Sequence, residues 1–138
     1  MIETLEGISI LINIANLLNE LKNKLFNSER RKEICQWLYE IGDLIEDTAI
    51  SLNKEIYPHQ NCSRMQYITD NFSGVIGDAL SSKEEEKLKE LLHSSVNIEK
   101  TFGEYMSLQS FDRTTYIQEL YSISGSILGI ADTLKYKK

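Results

Sequence analysis

Apolar residues recur along this chain at three- and four-residue steps, and no segment alternates apolar and polar residues over several positions. The spacing predicts helices throughout and no strands. The clearest segment runs from about Ser28 to Glu55, where Ile34, Trp37, Leu38, Ile41, Leu44, Ile45, Thr48 and Leu52 share one stripe. Ser28 is placed to cap it, with Glu29 in a first turn that favours negative charge. Glu33, Glu40, Asp43, Glu46 and Asp47 fall on the opposite, solvent face. Tyr57-Pro58 ends that helix, because a residue before proline avoids the α region, and proline suits the start of the next one.

A third helix is expected from Pro58 to about Leu80, with Cys62, Met65, Ile68, Phe72, Val75, Ile76 and Ala79 turned inward. Ser81-Ser82 followed by Glu84, Glu85 and Glu86 reads as a cap and an acidic first turn. The stripe of that fourth helix is Leu88, Leu91, Leu92, Ile98 and Phe102. A polar break from Ser107 to Asp112 precedes a last helix carrying Ile117, Leu120, Tyr121, Ile127, Leu128, Ala131 and Leu134. Lys135, Lys137 and Lys138 complement its C-terminal dipole.

The first helix, from about Ile2 to Phe26, differs. Ile8, Leu11, Ala15, Leu18 and Leu25 form one stripe, and Ile10, Ile14, Leu17 and Leu21 form a second, with Ile12 adding to both. A helix apolar on two sides must be covered on two sides. Its run from Ile8 to Leu18 is shorter than the ~20 residues that cross a bilayer, and Asn13 and Asn16 interrupt it, so no membrane span is expected. It is the centre of the bundle, a dimer interface or a surface for another protein. With short connections and no repeat, the expected architecture is all-α. It is an up-and-down bundle of four long helices plus a fifth, mostly apolar N-terminal helix, in a single domain over residues 1–138.

Composition narrows the function. At 138 residues, 41% apolar and 26% charged, the chain is an ordinary globular one. Fifteen Lys and Arg against 21 Asp and Glu leave a net charge of −6 with no basic stripe, which speaks against a nucleic-acid partner. Two cysteines make no disulfide framework, and nothing at the start resembles a cleavable signal, so a reduced, cytoplasmic setting is expected.

Few residues could carry chemistry. His59-x-x-Cys62 sets two soft ligands one turn apart, and Cys35 or His93 could complete a zinc site, but only one arm has a ligand pair. Cys62 equally continues its helix's apolar stripe, where free cysteine packs as a small hydrophobe. Glu90-x-x-His93 has the spacing of di-iron bundles, which need two such pairs and two further inward glutamates. Glu40 and Asp43, with the paired-acid spacing of magnesium-dependent helical hydrolases, oppose the apolar stripe and point away from a core site. No arginine is followed four to six residues later by histidine, which excludes helical ribonucleases needing that pair. No metal and no cofactor are expected.

The glycines are more suggestive. Gly42, Gly74, Gly77, Gly125 and Gly129 fall inside expected helices, each costing roughly 1 kcal/mol against alanine. Close approach of two helices, within the bundle or across a self-association face, is the usual compensation. Gly125-x-x-x-Gly129 with Ser122 and Ser126 forms one small-residue face.

Arg31-Lys32, Trp37-Leu38, Ile41-Gly42, Ile45, Leu52 and the turn Tyr57-Pro58-His59-x-x-Cys62 form a pattern. Over residues 28–105 it resembles small uncharacterised helical proteins of bacterial conflict systems, similar in kind to effector-associated adaptor domains. That resemblance implies a non-enzymatic binding module with no catalytic residues to carry over and with the first helix as docking element. The expected function is a protein-binding adaptor or self-associating regulator whose partner surface comprises Ile10, Ile14, Leu17 and Leu21 or Gly125 and Gly129. Two rivals remain open: an acidic inhibitor or immunity-type protein that occludes a basic site, and a metal-binding helical enzyme.

Overall fold

The computed structural model describes residues 6–77, 79–95 and 98–136. All regular structure among them is helical: α1 (Glu6–Phe26), α2 (Arg31–Asn53), α3 (His59–Asp70), α4 (Phe72–Ile76), α5 (Ser82–Ser95), α6 (Ile98–Met106) and α7 (Ser110–Tyr136). The described residues thus hold seven helices where the periodicity suggests five. The expected third helix stops at Asn71, whose side chain turns back to donate to the Tyr67 carbonyl at 2.8 Å, and restarts as α4. The expected fourth becomes α5 and α6 on either side of residues 96–97, which lie outside the described residues.

Local chemistry accounts for the ends. The Ser81 hydroxyl accepts the Glu84 N–H at 3.2 Å, and the Glu84 carboxylate accepts the Ser81 N–H at 3.0 Å, which is a complete capping box for α5. Lys24 from α1 donates to the same carboxylate at 2.6 Å. These bonds, Lys24's first, hold the Glu84 carboxyl below its ordinary range. Helix α2 starts three residues after Ser28, which stands just outside it and accepts the Arg30 N–H at 3.0 Å. Gly77 is not inside a helix: it ends α4 with φ +59°. A Cβ there would come within 2.6 Å of the Arg30 side chain, whose guanidinium donates to the Gly74 carbonyl at 2.5 Å.

One apolar core draws on all seven helices, from Ile8 in α1 to Leu134 in α7. Helix α2 pairs along its length with α7, and α1 packs against α7, α5, α6 and α2. Trp37 anchors α2 to α3 and α4, donating its indole N–H to the Ile68 carbonyl at 3.3 Å and meeting the Phe72 ring at 5.4 Å. At the other end, Glu104 of α6 ties three helices together. Its carboxylate accepts the Gly7 N–H of α1 at 2.9 Å and the Tyr116 hydroxyl of α7 at 3.0 Å. No described helix is long and apolar enough to cross a membrane.

Candidate functional site

The second stripe of the first helix is interior. Ile14, Leu17 and Leu21 are 1%, 6% and 6% exposed, and Ile10 is half-buried against the same core. The expectation that this stripe is a docking face is corrected accordingly: it is buried in the core of the same chain, where α1 packs against α7, α5, α6 and α2. A helix with two apolar faces is satisfied here by standing among the others rather than by a partner.

Among the described residues the possible metal ligands are not gathered into one site. Cys62 is half-buried against Leu44 and Met65, between α2 and α3. Cys35 lies across α2, where its thiol donates to the Ala131 carbonyl of α7 at 3.3 Å. Glu90 and His93 are exposed on α5, with Glu90 lining a polar depression beside Asn13, Asn16 and Glu20. The His59 side chain lies outside the described residues. Among the described residues, no three His, Cys, Asp or Glu side chains are grouped to hold one ion.

The glycines separate into two kinds. At Gly42, α2 and α7 approach so closely that a Cβ would stand 2.5 Å from the Leu128 side chain, and the Ser124 hydroxyl of α7 donates to the Gly42 carbonyl at 2.7 Å. Here close packing within the fold compensates the glycine. Gly125 and Gly129 lie on the exposed side of α7, and a Cβ at either would meet nothing within 4 Å. The fold does not require them to be small.

These two glycines belong to a longer face. Successive residues of an α-helix turn by about 100°, which puts Phe111, Thr114, Gln118, Tyr121, Ser122, Gly125, Gly129, Thr133 and Tyr136 on one side of α7. All are exposed, and Phe111, Tyr121 and Tyr136 are so by 82%, 43% and 75%. Thr114 and Thr133 turn their hydroxyls onto the helix's own carbonyls of Ser110 and Gly129, at 3.3 and 3.0 Å. From residue 120 to residue 131 the helix carries no charge. The outer side of α7 is therefore a long strip of aromatic, glycine and hydroxyl residues facing solvent, with the exposed Asp132 on it near its C-terminal end.

The seam with α2 borders this strip. Tyr39 of α2 donates to the Asp132 carboxylate of α7, and that bond, helped by burial, pushes the phenol up to about 12. Burial pushes the nearby Cys35 thiol up, with Lys135 opposing it. Sequence reasoning passed over Tyr39 and Asp132, since pairing across α2 and α7 leaves no trace in either helix's own periodicity. On the other side of α2, Trp37, Tyr67, Ile68 and Val75 line an open groove of about 430 Å³ rimmed by Lys32, Glu33 and Glu40.

No family model, curated protein or solved structure matches this chain.

Proposed function

We propose that this chain is a non-enzymatic protein-binding module, an adaptor or self-associating regulator, which binds through the outer face of α7. The observation that carries this reading is the pair Gly125 and Gly129, small exposed residues in the uncharged stretch from 120 to 131, where nothing in the chain's own fold requires them to be small. Each weakens the helix by roughly 1 kcal/mol relative to alanine, and close approach of a second helix is the compensation that glycines at this spacing commonly find. Aromatic residues along the same strip suit an interface, because they offer large rigid contact area. The resemblance of residues 28–105 to effector-associated adaptors of bacterial conflict systems supports the same class. In this reading α3 with α4, and α5 with α6, serve as the two broken arms of an up-and-down bundle around α1, and the protein works in the cytoplasm without nucleic acid, metal or cofactor.

The test is a photo-crosslinking residue placed at Ser126, exposed next to Gly125 at the edge of the strip, and in a separate variant at Lys89, on the exposed side of α5. In the cells that produce the protein, irradiation is expected to give a covalent protein adduct from position 126 and none from position 89. A chain that stays free at position 126 overturns the proposal.

A further inference from the structure

We infer that α6 is a strap that opens from the bundle as a unit, with Arg113 of α7 as its latch. The inference is independent of what binds the outer face of α7.

Little in α6 itself keeps it in place. It is nine residues long, short of the ~12–15 at which an isolated helix becomes even marginal in water. Gly103 lies inside it where a Cβ would meet nothing within 4 Å, so this glycine weakens the helix without serving its packing. Among its described side chains only Thr101 and Tyr105 are buried. The still shorter α4, by contrast, is pinned by Phe72 and Ile76, both fully buried.

What fastens α6 is a set of ring and polar contacts. The Phe102 and Tyr105 rings meet Tyr57 and Tyr116 edge-on at 5.1 and 5.9 Å, and Glu104 accepts the Gly7 N–H and the Tyr116 hydroxyl. Arg113 secures the C-terminal end. Its Nε and Nη2 donate to the Tyr105 and Met106 carbonyls at 3.2 and 2.9 Å, in the last turn of α6, where carbonyls lack helical partners. Its Nη1 donates to the Glu55 carboxylate at 2.9 Å, and the guanidinium lies over the Tyr105 ring, 5.1 Å from the centroid. One side chain thereby joins the end of α6 to the start of α7 and to the turn after α2.

That turn is strained. Glu55 follows the C-cap of α2 with φ +58°, a position usually held by glycine and costly to a residue with a Cβ. The latch is also open to water, since the Arg113 and Glu55 side chains are 25% and 57% exposed. Release gives up hydrogen bonds that water can replace and few buried contacts. It uncovers the Gly7 end of α1 and the Tyr116 ring, while the α2–α7 pairing, which α6 does not enter, stays closed.

The test is native-state hydrogen exchange on the full chain, read by mass spectrometry as protection relative to intrinsic rates. Amides 102–106 are expected to be at least about tenfold less protected than amides 37–49 of α2 and 120–131 of α7, as a locally opening unit requires. Arg113→Gln is expected to lower protection in α6 by roughly a further tenfold and to leave α2 and α7 unchanged. If that variant does not fold, Glu55→Gln, altered at an exposed carboxylate, decides by the same criterion. An α6 as protected as α2 and α7 in the wild type overturns the inference. So does a folded latch variant that lowers all three helices alike or leaves α6 unaltered.

Discussion

Tyr116 is the bulkiest of the fully buried side chains described, yet it carries a hydroxyl. The fold accommodates it by directing that hydroxyl onto the Glu104 carboxylate and by stacking its ring edge-to-face on Tyr105 at 5.9 Å. Burial, with the adjacent carboxylate, holds the phenol far above its ordinary range. The consequence for stability has a definite sign. The unfolded chain releases this proton near pH 10, whereas the folded chain keeps it to higher pH. Above about pH 10 the folded state therefore binds more protons, and stability falls as pH rises. Tyr116→Phe removes that dependence. In urea melts at pH 7 and pH 11, the wild type is expected to lose more stability between the two than the variant does, although the variant starts lower at pH 7 by about 1 kcal/mol for the missing hydrogen bond. Equal losses in both proteins would show that Tyr116 does not carry the alkaline response.

At the scale of the element, glycines in helices that look alike in sequence part company. Gly42 sits where α2 and α7 touch, and a methyl group there collides with Leu128. Gly42→Ala is expected to destabilise the fold by on the order of 1–3 kcal/mol, since overpacking outweighs alanine's better helix propensity. Gly125→Ala and Gly129→Ala face open space and are expected to stabilise the monomer by up to about 1 kcal/mol each. Chemical denaturation of the three variants at low protein concentration, where any dimer has dissociated, reads both signs. A stabilised Gly42→Ala or a destabilised Gly129→Ala would reverse the assignment. Periodicity marks all these residues as helical, but what stands opposite each one is a fact about a second helix. The break at Asn71 was equally hidden, because Phe72, Val75 and Ile76 continue the apolar stripe of α3 across it.

For the molecule as a whole, the position of α1 decides how the chain is built. Its two apolar stripes left open whether it lay inside the protein or on a partner. The fold buries both, and each fully buried leucine or isoleucine contributes about 1.5–3 kcal/mol. Ile14→Asp/Leu17→Asp is therefore expected to abolish cooperative thermal unfolding and most of the helical circular dichroism. A well-folded double variant would mean that these residues are not core.

The all-helical class, the capping box at Ser81 and Glu84, the break between α2 and α3 just ahead of Pro58 and the solvent face of α2 were all legible in the amino-acid sequence. Each depends on residues within a turn or two of one another, and helical spacing and capping are local physics. The burial of Ile14, Leu17 and Leu21 and the exposure of Gly125 and Gly129 were not legible there. Each depends on which helices become neighbours. That is settled by competition among several apolar stripes of similar strength for one shared core, a property of the assembled chain that no single stripe encodes.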